Sequence, residues 1–102
     1  MEKTFAGIAV KVNEEGYLKD LSQWSKDVAL EIAKEEGITL TDRHWEIINY
    51  LQEQYRNEVA LSIRKIGKSG VVSIKEFYTL FPKGPLKKAS KIAGIPKPKS
   101  CI

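Results

Sequence analysis

Residues 39–57 read TLTDRHWEIINYLQEQYRN. Thr41 is placed to cap a helix, and Asp42 favours the positive end of its dipole. Trp45, Ile48, Leu51 or Gln52, and Tyr55 recur at helical spacing and form an expected inner stripe. A helix this long with one apolar stripe must pack against other elements, which the neighbouring segments have to supply.

Upstream, Trp24, Val28 and Ile32 recur every four residues, with Lys26, Glu31 and Glu35 on the other side and Gly37 as the stop. Earlier still, Ile8, Val10 and Val12 alternate with Lys11, which predicts a strand face. Ala6-Gly7 and NEEG at 13–16 are turn signals, so residues 3–12 read as a short hairpin, after which Tyr17 and Leu18 enter the core. Downstream, a short helix is expected near 59–66, with Val59, Ile63 and Ile66 inward, ended by KSG at 68–70. Ser73 and Glu76 stand at capping-box spacing in SIKEFYTLF, with Phe77 and Leu80 inward. PKGP at 82–85 breaks that helix, and Pro85 opens PLKKASKIAG, which Gly94 closes, with Leu86, Ala89 and Ala93 facing the core. Pro96 and Pro98 then push IPKPKSCI toward extended polyproline II.

The expected fold is mainly α with a small N-terminal β-hairpin, a compact bundle of about five short helices. Residues 1–94 form a single domain and residues 95–102 a mobile C-terminal arm. At 102 residues and 42% apolar composition, one small core is expected. No apolar run approaches the ~20 residues of a membrane span, and the N-terminus lacks the long uncharged stretch of a signal peptide. A cytoplasmic protein is expected.

Charge is unevenly placed. The net charge is +4, yet the residues before Lys83 hold 11 Lys and Arg against 13 Asp and Glu, a net of −2. Lys83, Lys87, Lys88, Lys91, Lys97 and Lys99 follow with no acid among them. Such a segment fits an acidic protein partner, a nucleic acid or a solvated helix face. A helix-turn-helix regulator over residues 59–81, with Lys65, Lys68 and Lys75 toward phosphate, is the less favoured alternative. No helix rich in Arg, Asn and Gln supports base reading there, so any nucleic-acid contact is expected to be weak and nonspecific.

The single cysteine, Cys101, is the sharpest candidate for chemistry. One cysteine makes no internal disulfide, and with only His44 beside it no zinc site. Near a chain end a thiol is expected to be exposed, where it is a liability unless it is used. Lys97 and Lys99 favour its thiolate, whereas the terminal carboxylate of Ile102 opposes it. Seven residues separate Gly94 from Cys101, and at ~3.1 Å per residue in polyproline II they reach roughly 20 Å. A stiff tether with a thiol at its tip suits a covalent group carrier. Enzyme readings are weak: His44 near a helix start reads as structural or solvent-facing, and the glutamate pairs at 14–15 and 35–36 as solvated charges. There is no glycine-rich phosphate loop, nucleophile triad or metal motif.

LFPKGPLKKASKIAGIPKPKSCI, residues 80–102, resembles the C-terminal signature of the DsrC/TusE family. Residues 15–55 resemble that family's hairpin exit and first two helices, and SIRK at 62–65 its Ile-Arg segment. The resemblance implies a sulfur carrier whose penultimate cysteine, here Cys101, holds sulfur as a persulfide without a cofactor, rather than a stand-alone catalyst. It implies a TusBCD-like sulfur donor complex upstream and a tRNA 2-thiouridylase downstream, with the six lysines and Arg64 as docking residues. The alternative within the family is sulfur trafficking in dissimilatory sulfur metabolism. Members that serve sulfite reduction carry a second cysteine eleven residues before the penultimate one, a position that Ser90 occupies here. The stretch between Arg64 and LFPKGP is also shorter than in typical members.

Overall fold

The computed structural model describes residues 1–98. The hairpin, β1 (Glu2–Phe5) and β2 (Ile8–Lys11), is antiparallel, with Lys3 opposite Val10 and Phe5 opposite Ile8. Ala6 and Gly7 turn it with φ of 52° and 79°. Two positive values in succession are what a type I′ turn requires. Phe5, Val10 and Val12 are buried, but Ile8 is 43% exposed. Ile8 abuts the turn, where no helix covers the strand face on which alternation had placed it. Lys3 anchors the other end of the hairpin, reaching Glu35 at 2.6 Å.

The turn offers a direct check. Alanine in the left-handed region costs about 1 kcal/mol or more, whereas asparagine tolerates it. Ala6→Asn is therefore expected to stabilise the chain by about 0.5–1 kcal/mol, measured by denaturant titration.

Five helices follow: α1 (Lys26–Glu35), α2 (Asp42–Arg56), α3 (Ile63–Lys68), α4 (Ile74–Leu80) and α5 (Pro85–Ile92). Their ends follow from side chains. Ser25, Ser62 and Ser73 accept the backbone N–H groups of Val28, Lys65 and Glu76. Gly37, at φ 72°, closes α1 with Ile38 N–H bonded back to Ala33 O. Pro85 opens α5 at its first position.

Helix α2 differs from expectation in which residues it buries. His44, Ile47, Ile48, Leu51 and Gln52 are inward, Trp45 is half-buried, and Tyr55 is 43% exposed. Histidine takes the inner position because both ring nitrogens find partners. Nδ1 accepts the Thr41 backbone N–H at 3.0 Å, and Nε2 lies 2.8 Å from Leu80 O. A carbonyl only accepts, so Nε2 carries the proton. His44 thereby joins the start of α2 to the end of α4, a structural role rather than the solvent-facing one that its position also allowed.

The helix expected near 59–66 begins later, at Ile63, and Val59 is 38% exposed rather than inward. Glu58 is the reason: it takes φ 57° and ends α2 in a Schellman turn, with Val59 N–H bonded to Gln54 O. Val59 therefore lies in a connection. Helices α3 and α4 then pack closely, since a Cβ on Gly67 would stand 2.5 Å from Ile74 Cγ1.

Arg43 ties α2 to α4. Its Nη2 donates to Glu76 at 2.6 Å and to Val71 O at 2.9 Å, and its Nε donates to the other Glu76 oxygen at 3.0 Å. Those bonds hold the Glu76 carboxyl below its ordinary range. A carboxylate whose folded pKa is lowered stabilises the fold above its unfolded value, near 4.5, and that contribution fades as pH falls through the folded value. Glu76→Gln should melt a few degrees below wild type at neutral pH, and the two melting curves should converge on acidification below pH 4.5. Thermal unfolding over a pH series checks this.

Helix α5 lies at the centre, touching α1, α2 and α4. Leu86, Ala89, Ser90 and Ile92 face the core. Ala89 and Ala93 are small enough for neighbouring helices to close on them. The core continues one residue past Gly94, the end expected from sequence: Ile95 is 1% exposed.

Candidate functional site at the root of the arm

Cys101 and Lys99 lie outside the described residues. What the structure does describe is the root from which their segment departs. Gly94 takes φ 75° and closes α5 in a second Schellman turn, Ile95 N–H bonding to Ser90 O at 3.1 Å and Gly94 N–H to Lys91 O at 3.2 Å. The turn aims Ile95 into the core and leaves Pro96 exposed.

Three side chains from distant parts of the sequence hold this helix by its carbonyls. Tyr17 Oη donates to Lys87 O at 3.1 Å, Trp24 Nε1 to Ile92 O at 2.7 Å, and Gln52 Nε2 to Ala93 O at 2.7 Å. The carbonyls of a last helical turn lack intrahelical partners, so Trp24 and Gln52 satisfy groups that would otherwise be left unpaired, while Tyr17 bonds to the first turn of α5. Trp24 lies two residues before α1 and is not part of it. Its ring presses on Gly94, where an added Cβ would meet Cδ1 at 2.5 Å. None of the three was assigned this role from sequence. The available signal was Gln52, an amide within an otherwise apolar inner stripe.

Two of the described lysines from Lys83 onward are paired. Lys91 pairs with Glu36 at 3.7 Å, and Lys97 with Glu15 at 2.9 Å. Lys83, Lys87 and Arg64 are exposed, and Lys88 is half-buried. The helix-turn-helix candidate resolves into α3 of six residues and α4 of seven, the latter carrying no Arg, Asn or Gln. Among the described residues, no three His, Cys, Asp or Glu side chains converge as metal ligands would, and no helix is long and apolar enough to cross a membrane.

Ser90 is fully buried on α5, and its Oγ has no hydrogen-bond partner among the described residues. A residue eleven before Cys101 thus belongs to the core, on α5.

A family model described as DsrC like protein matches residues 4–102. The chain belongs to the DsrC/TusE family. Similar relatives include proteins named sulfurtransferase TusE from Photorhabdus laumondii and Escherichia coli K12. Each is 42% identical over 106 aligned residues that cover 96% of this chain, and 96% and 97% of the respective relative. Among solved structures, dissimilatory sulfite reductase I (DsrI) matches with a TM-score of 0.87 at 38% identity, covering both chains fully. Allochromatium vinosum DsrC matches at 0.82 and 40%, and the oxidized DsrC gamma-subunit of dissimilatory sulfite reductase from Archaeoglobus fulgidus at 0.81 and 36%, again over the full length of both chains. The mainly helical fold with its N-terminal hairpin is thus the DsrC fold. In this DsrC/TusE chain the elements that hold the arm's root come from the hairpin exit, the approach to α1, and α2.

Proposed function

We propose that the chain carries sulfur as a persulfide on Cys101 and passes it to an acceptor protein in a relay for tRNA 2-thiouridine synthesis. As a DsrC/TusE protein it belongs to a family of sulfur-relay proteins. The observation that carries the finer reading is the match to TusE sulfurtransferases over 96% of the chain, together with a lone cysteine at position 101.

The chemistry is exchange at divalent sulfur. The Cys101 thiolate attacks the terminal sulfur of a donor persulfide; a new S–S bond forms, the donor's S–S bond breaks, and the donor leaves as its thiolate. An acceptor thiolate then attacks the terminal sulfur of the Cys101 persulfide and releases the Cys101 thiolate. Sulfur moves at constant oxidation state, so the relay itself needs neither oxidant nor metal. The role of the fold is positional. With Ile95 in the core, Lys97 paired with Glu15 and Pro98 at a groove wall, the three residues from Pro98 to Cys101 span at most roughly 10 Å. Prolines 96 and 98 reduce the entropy lost when such a tether enters a partner's pocket.

A TusBCD-like complex is the proposed donor and a tRNA 2-thiouridylase the proposed acceptor, with exposed Lys83, Lys87 and Arg64 steering acidic surfaces toward the arm. The second reading is sulfur trafficking in dissimilatory metabolism, favoured by the names of the structural neighbours. Ser90 weighs against it, because a hydroxyl cannot supply the second thiol of the two-cysteine members. Incubating the sulfur-loaded chain with each class of acceptor decides between them. Transfer to the thiouridylase supports the first reading, and transfer solely to a sulfite-reductase or heterodisulfide-reductase partner overturns it.

A further inference from the structure

We infer that the groove at the root of the arm is the docking seat for an apolar side chain of the protein that accepts sulfur from Cys101. This rests on the carrier reading above. The end of α2, the connection after it and the segment after Gly94 line a cavity of about 470 Å³, with Tyr55, Val59 and Leu61 from the first two and Ile95, Pro96 and Pro98 from the last. Tyr55 and Val59, 43% and 38% exposed, both line this groove, and the Schellman turn at Glu58 sets the bend between them. Glu58 and Lys97 add charges of both signs to this apolar lining, and apolar residues beside charged ones are the composition of a protein-docking site.

The length of chain beyond the groove names the occupant. Cys101 is three residues past Pro98, itself a groove wall, and three residues span at most roughly 10 Å. A protein that takes the Cys101 sulfur into its active site therefore comes within that distance of the groove wall at Pro98, and the groove offers it an apolar lining. Seating one aliphatic or aromatic side chain there removes Tyr55 and Val59 from water in the same event that presents the thiol.

The test uses the full chain, loaded with sulfane sulfur by inorganic polysulfide and checked by intact mass. Single-turnover transfer to the cognate tRNA 2-thiouridylase is then followed over a range of acceptor concentrations. Val59→Glu and Tyr55→Ala alter exposed side chains and leave the core intact; Leu30→Glu, exposed on α1 and no part of the groove, is the control. Val59→Glu should load like wild type and raise the half-saturating acceptor concentration by about tenfold or more, with the rate at saturation unchanged. Leu30→Glu should match wild type. A Val59→Glu curve that superimposes on wild type, or an equal shift from Leu30→Glu, overturns the seat and leaves the carrier reading standing. Failure of wild type to load overturns the carrier reading, and loading without transfer overturns this occupant. Conversion of a wild-type dimer to a monomer by Val59→Glu, or loss of binding to bare tRNA, would assign the groove to a second copy or to RNA and equally overturn the inference.

Discussion

Gly94→Ala should be among the most damaging single substitutions in this chain. Two costs combine. Gly94 sits at φ 75°, where a side chain costs about 1–2 kcal/mol. The added Cβ would also stand 2.5, 2.8 and 2.9 Å from Trp24 Cδ1, Cγ and Cβ, and forcing a well-packed site apart costs about 1–3 kcal/mol. The sum, about 2–5 kcal/mol, is a large part of the 5–15 kcal/mol that holds a typical domain. Gly37 supplies the control. It has φ 72° and nothing within 4 Å of the built Cβ, so Gly37→Ala incurs the first cost alone. Thermal or denaturant unfolding of both variants should place Gly94→Ala well below Gly37→Ala. Adding Trp24→Ala to Gly94→Ala should recover part of the gap, because the two residues share one contact. Equal destabilisation by the two glycine variants would mean that Trp24 does not press on the helix end. The same indole donates to Ile92 O, so the variant also disturbs the turn that closes α5.

Much of this architecture was legible because it is local. Thr41, Ser73, Pro85, Gly37 and Gly94 each act within a few residues of themselves, through one backbone hydrogen bond or one torsion angle, and the elements they bound lie where expected. Periodicity failed where burial depends on what lies opposite. Ile8 and Val59 have the residue type and spacing of core positions, but no element covers them. His44 displaced Trp45 from the inner face because a carbonyl 36 residues away accepts its Nε2 proton. The arm's root was the least legible part. Its three donors come from 70, 68 and 41 residues upstream of the carbonyls they reach, and no local pattern encodes such a pairing. Ile95 followed a helix stop and preceded a proline, so it read as the first residue of the arm, although the Schellman geometry at Gly94 turns it inward.

The second large effect concerns Cys101. With one cysteine in the chain, sulfur transfer by exchange has a single possible site, so Cys101→Ser should abolish it rather than weaken it. The substitution lies beyond Ile95, the last buried residue among those described, and melting should be unchanged. Loss of activity with an intact fold separates a chemical role from a structural one.

Intact mass spectrometry after incubation with a persulfide donor tests the central claim most directly. The wild-type chain should gain one sulfur, ~32 Da, reversed by a thiol reductant through exchange, and Cys101→Ser should gain none. Absence of the gain in wild type, or its persistence in Cys101→Ser, would contradict the assignment of this chain as a carrier acting through that residue.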